Sequence, residues 1–147
     1  MFWGKKRRTV RAFMLASAAL VAGAAPAAGQ SLKSMRDQAA AESLLADEIG
    51  YTNTVCGAAI ALEIDWSSLS GWPSDGQALA RACGGALSAI EAVCHGGGAA
   101  RVARGIDTFV CAGDGAGAAF GAGALTFGAS PGETGYDETR ALLEDAL

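Results

Sequence analysis

The sequence predicts an α+β domain: a small, mainly antiparallel sheet of about four strands with helices packed on one face, in the order α-β-α-β-β-β-α. Three observations predict it. Ile60, Leu62, Ile64 and Trp66 alternate with Ala61, Glu63 and Asp65, the period of a half-buried strand with its acids facing water. Leu79, Cys83, Ala86, Leu87, Ile90 and Cys94 recur at the helical period and mark a core-facing helix. Further on, Phe120, Leu125 and Phe127 punctuate a Gly- and Ala-rich stretch that reads as a hairpin.

Each element has a local signal. A first helix is expected over 34–49, with Ser34 and Asp37 as a capping-box-like start and Gly50 as the stop. Met35, Ala39, Leu45 and Ile49 can share its buried face. After the strand, Ser67 to Pro73 is a loop. Ser74 and Gln77 form a capping box for the second helix, which Gly96 ends. Ala99 to Arg104 adds a helical turn, and Ile106 to Ala112 reads as a strand. The hairpin runs from Ala118 to Gly121 and from Ala124 to Ala129, turning at Ala122-Gly123. Glycine weakens strand interiors, and the competing reading of 113–132 is a stretch without fixed structure. Thr134 with Asp137 starts a last helix, with Tyr136, Arg140, Leu143 and Leu147 on one stripe.

The first residues read as a secretory signal peptide. Lys5, Lys6, Arg7, Arg8 and Arg11 precede an apolar run from Ala12 to Ala25 and then small residues. Cleavage is expected after Ala27, with Gly29 as the alternative, leaving residues 28–147 as one exported domain. The run is shorter than the ~20 residues of a spanning helix, so no stable membrane insertion is expected after cleavage. Arg7-Arg8 resembles a twin-arginine signal, but Arg11 interrupts the apolar residues expected behind it. Without the leader, six basic side chains face fifteen acidic ones, a net charge of −9. That balance argues against nucleic acid and anionic lipid as partners, because both require clustered Lys and Arg. A periplasmic or secreted location follows, and it makes the four cysteines candidates for disulfides.

Four cysteines allow three pairings. Cys83 and Cys94 lie on one helix ~16 Å apart, too far to bond to each other. A strand from Cys56 to Trp66 covers ~33 Å, and a helix from Ser74 to Cys94 covers ~30 Å. If the helix doubles back over the strand, Cys56 arrives level with Cys94. The next strand then carries Cys111 to the level of Cys83. The expected pairs are therefore Cys56–Cys94 and Cys83–Cys111.

No catalytic constellation emerges. His95 is the only histidine and sits where a helix dipole favours a cation. Glu63 and Asp65 share a strand face, which in an antiparallel sheet is ordinarily solvated. Gly113-Asp114-Gly115-Ala116-Gly117 lacks the lysine of a phosphate loop and the full calcium repeat. No cofactor or metal is implied. Trp66 and Trp72 flank a Ser-rich loop, so Trp66, Ser67, Ser68 and Trp72 form the candidate interaction surface. The expected function is that of an exported non-catalytic module that binds another envelope protein. A small secreted hydrolase using Glu63, Asp65 or His95 is the alternative.

Several landmarks carry a resemblance: Val55-Cys56-Gly57, Ile64-Asp65-Trp66-Ser67-Ser68, Cys83, Cys94, Val110-Cys111 and Leu125-Thr126-Phe127. This pattern resembles a group of small exported bacterial proteins with four cysteines and no assigned activity. The resemblance implies the same fold and supplies no function. Where that group resembles Asp-Gly at the hairpin turn, this chain has Ala122-Gly123.

Overall fold

The first helix, α1, spans Leu32–Cys56 and is longer than expected at both ends. Ser31 is its N-cap, accepting a hydrogen bond from the Ser34 N–H at 3.1 Å. Gly50 does not stop it. Ala41, Leu45, Ile49, Thr52 and Cys56 are all buried. Their three- and four-residue spacing continues the core stripe straight through Gly50, and burial of this stripe outweighs the ~0.5–1 kcal/mol cost of an interior glycine. Met35 is exposed and Ala39 also faces solvent, so neither belongs to the buried face. The helix ends at Gly57, whose φ of 60° is the left-handed conformation glycine adopts without strain. The computed structural model describes residues 31–72 and 77–147. The leader at 1–27 and the Ser74 cap lie outside the described residues.

Strand β1 is Ala61–Ile64, shorter than the alternating run. At its start, the Asn53 side chain accepts from the Ile60 N–H at 2.8 Å and donates to the Ile60 carbonyl at 3.0 Å. Past Ile64, Asp65 caps a 3₁₀ turn over Trp66–Leu69, which takes Trp66 out of the strand. Helix α2 spans Gln77–Val93. It packs against α1 on one side and the last helix on the other, which accounts for its wide apolar surface. A wide turn over Cys94–Gly98, with Gly97 at φ 91°, leads to the short helix α3, Ala99–Gly105. Strands β2 (Thr108–Ala112), β3 (Gly117–Gly121) and β4 (Ala124–Gly128) follow, then α4, Tyr136–Ala146.

The chain is an α+β domain with one four-stranded sheet in the order β1-β2-β4-β3. The sheet is mixed rather than mainly antiparallel. β1 pairs parallel with β2, β2 parallel with β4, and only β3–β4 is antiparallel. Two physical reasons account for this. The α2–α3 crossover returns the chain to the end of the sheet where β1 began, which makes β2 parallel to β1. The hairpin then docks through its second strand, since Leu125 and Phe127 bury completely in the interior while Gly-rich β3 has little to bury and takes the edge. The turn at Ala122-Gly123 has φ of 51° and 79°. Two positive values at a two-residue connection match the twist of a tight hairpin.

Leu62, Ile64, Phe109, Cys111, Leu125 and Phe127 point to the helices. The described helices α1, α2 and α4 lie on that face. The opposite face carries Glu63, Val110, Thr126 and Ala119 side by side. Helix α4 starts after Gly135 rather than at Thr134. Thr134 packs on Gly85 instead; a Cβ there would lie 2.7 Å from the Thr134 carbonyl carbon. Leu143 is buried, while Arg140 faces solvent and pairs with Glu144 at 2.8 Å, so Arg140 leaves the expected stripe.

All four cysteines are bonded, as Cys56–Cys94 and Cys83–Cys111. Their Cα atoms are 5.3 and 5.9 Å apart. The pairs match the expected ones, but the route to the first differs. Cys56 is the last residue of α1, not part of an extended strand. The ends of α1 and α2 meet at the base of the sheet, and the bond closes there. Replacing Cys83 and Cys111 together by Ala is expected to lower stability by ~2–4 kcal/mol, read from urea unfolding with the other bridge kept oxidised.

Candidate functional site

Because β1, β2 and β4 run parallel, their carboxyl ends lie at one rim of the sheet. Three connections emerge there: the turn at Trp66–Leu69, the loop 113–116 and the loop 129–135. In open sheets with parallel strands this rim is where ligand-binding loops collect.

The Ser-rich segment is built around Asp65. Its N–H donates to the Cys111 carbonyl at 2.9 Å and so extends the β1–β2 ladder. Its carboxylate accepts from the Ser67 N–H at 3.1 Å and from the Ser67 hydroxyl. Ser68 Oγ donates to the Asp65 carbonyl at 2.6 Å and accepts from the Gly113 N–H at 2.8 Å. Trp72 Nε1 donates to the Gly113 carbonyl at 2.9 Å. The residue beyond the end of β2 is therefore held through both its N–H and its carbonyl. A Cβ on Gly113 would sit 2.6 Å from Trp72 Nε1, so only glycine fits beneath the indole.

The four residues of the candidate surface are thus brought together, with different tasks. Ser68 and Trp72 staple the segment to Gly113. Trp66 is half-buried against the core, and Ser67 is exposed. Sequence reasoning missed Gly113 as their shared partner; the Gly-Asp-Gly run signalled a turn there but not what the turn would bind. That run has its own bonds. Asp114 accepts from the Ala116 N–H at 3.0 Å, and the Gly115 N–H donates to the Ala129 carbonyl at 3.0 Å.

The other candidate groups do not join this rim. His95 is exposed in the turn after α2, next to Cys94 and hence beside the end of α1 that precedes β1. Asp65 lies past the opposite end of that strand. Glu63 is exposed on the open sheet face. Among the described residues no group of three or more His, Cys, Asp or Glu is placed to hold a metal ion. Likewise, no described helix is long and apolar enough to cross a membrane.

A concavity of about 450 Å³ lies between α1 and α2, lined by Leu44, Glu48, Gln77, Ala80, Arg81 and Gly84. Beside it, the buried Thr52 hydroxyl lies 2.7 Å from Glu91 Oε1 and 3.0 Å from the Glu48 carbonyl. Partial burial, and then the nearby Glu91 carboxylate, push the Glu48 carboxyl above its ordinary value.

Fold and site together define a small α+β domain with two disulfides and a tightly hydrogen-bonded loop rim. No protein-family model, curated protein or solved structure matches the chain.

Two outcomes follow from these contacts. Ser68→Ala leaves the Gly113 N–H without its acceptor and is expected to cost ~1–3 kcal/mol in denaturant unfolding. Ser67→Ala, on the exposed side, is expected to stay within ~0.5 kcal/mol of the parent. For Glu48, a raised folded pKa means that the folded state holds its proton to higher pH than the unfolded chain. Its charge therefore opposes folding at neutral pH, and that penalty is relieved as pH falls through the folded pKa toward the ordinary glutamate value. Glu48→Gln is expected to raise the thermal midpoint at neutral pH, with the gain vanishing below about pH 4. Thermal unfolding across pH checks both parts.

Proposed function

We propose that this is an exported, non-catalytic protein of the periplasm, a disulfide-braced binding or protein-interaction module of the cell envelope. The pairing of all four cysteines is the observation that carries the reading. Paired structural cysteines belong to oxidising compartments. The basic-apolar-small order of the first residues supports the same compartment. The interaction role is supported by where the polar groups go. Ser68, Trp72 and Asp65 are spent on holding a loop, and His95 sits away from the carboxylates at the rim. A rigid loop segment with Trp66 and Ser67 at its surface suits contact with another protein better than chemistry. The resemblance to small exported bacterial proteins agrees with this reading.

The intact mass of protein recovered from the periplasm tests the compartment. The expected mass begins near Ala28, and thiol alkylation is expected only after reduction. A retained leader or free thiols in the cleaved form would overturn the reading. Cross-linking of the protein in intact cells is expected to yield one envelope partner.

A further inference from the structure

The two edges of the sheet are finished differently. At the β3 edge, the Ala118 N–H donates to Glu138 Oε1 at 2.8 Å, and α4 packs across the strand. At the β1 edge only the first position is closed, by the Asn53 side chain on Ile60. The register then decides which groups remain. The Ala61 N–H donates to the Asp107 carbonyl and the Asp65 N–H to the Cys111 carbonyl, so odd-numbered residues face β2. Leu62 and Ile64 therefore aim both N–H and C=O away from the sheet. Among the described residues nothing meets these four groups. An edge of this kind is a template for another strand.

We infer that the β1 edge is a docking site for an extended segment of another protein, with basic and apolar residues alternating along it. The inference rests on the interaction-module reading. Four backbone hydrogen bonds to Leu62 and Ile64 would hold the segment. The side-chain alternation of β1 sets its sequence. On the helix side, an added strand lies beside half-buried Leu62 and Ile64, which calls for apolar residues. On the open side, its neighbour is exposed Glu63, with exposed Asp65 beyond, which calls for Lys or Arg. The same charges disfavour a second copy of this chain. Self-pairing would bring further Glu63 and Asp65 side chains to the seam of two chains that each carry −9 after the leader. The acid at this edge thus discourages self-association and selects a basic occupant.

Amide hydrogen exchange on the oxidised, leader-free protein tests the inference, with acetyl-Val-Lys-Val-Lys-Val-Lys-Val-amide and its Glu-for-Lys counterpart as probes. In the free protein, the Leu62 and Ile64 amides are expected to exchange fast while Glu63 and Asp65 are protected. Saturating Lys peptide is expected to slow Leu62 and Ile64 by about tenfold or more. Glu63→Lys, at an exposed position, is expected to weaken the Lys peptide by about fivefold and to favour the Glu peptide; Glu63→Gln should fall between. Protection of Leu62 and Ile64 without peptide would overturn the inference, as would the absence of any response to the Lys peptide. Protection confined to the 66–72 segment would overturn edge docking and leave the interaction-module reading standing. A retained leader, or free thiols in the cleaved form, in the periplasmic experiment would instead remove the reading itself.

Discussion

The Cys83–Cys111 bond fastens the middle of α2 to the second strand of the sheet, and the other elements take their positions around that contact. Cys83, Ala86, Leu87 and Ile90 are fully buried, as are Phe109, Leu125 and Phe127 across from them. Close packing of this kind leaves the flanking helices only the two sides of α2. Helix α1 takes one side and α4 the other. The second bridge, Cys56–Cys94, then joins the ends of α1 and α2 at the base of the sheet. The two bonds restrict different parts of the unfolded chain, closing sequence separations of 38 and 28 residues.

At the opposite end of the sheet the Cys83–Cys111 bond reaches the next-to-last residue of β2, and the loops beyond it carry no covalent tie. Order there comes from hydrogen bonds that use polar side chains as backbone substitutes. Ser68 and Trp72 partner the N–H and the carbonyl of Gly113, Asp65 completes a 3₁₀ turn, and Asp114 closes its own loop. Asn53 plays the same part at the start of β1. A chain rich in glycine has few side chains with which to brace its loops. The ones it has are placed where a carbonyl or an N–H would otherwise lack a partner. This explains why residues that look reactive in the sequence carry structural duties.

What remains free for recognition is correspondingly limited. The open face of the sheet is made of small side chains and Glu63. At its β3 edge Glu138 takes the Ala118 N–H and α4 packs across the strand, while at its β1 edge the outward backbone groups of two residues meet nothing among the described residues. Beyond the edge, the Trp66–Leu69 turn presents an exposed Ser67. These neighbouring features form one continuous margin of the domain. A partner strand lying along β1 would run toward this turn, so backbone pairing and loop contact can belong to a single interface.

By itself the sequence determined the fold class, the helix and strand identities and the hairpin turn. Periodicity and turn chemistry are local and survive in any packing: alternation marks β1, the stripe from Leu79 to Ile90 marks α2, and Ala122-Gly123 turns the hairpin. Only the tertiary structure decided the rest. Gly50 reads as a stop, yet the core stripe of α1 runs past it, because the burial of Thr52 and Cys56 depends on α2 and the disulfide rather than on neighbours in the chain. Strand direction was equally illegible. Leu125 and Phe127 fit a strand of either sense, and it is their complete burial in the core that goes with the place of β4 between β2 and β3. The site followed the same rule. Trp66, Ser67, Ser68 and Trp72 stood out as a cluster, but Gly113 is over forty residues away from them, and a hydrogen bond across that separation exists only once the strands are parallel and their ends meet.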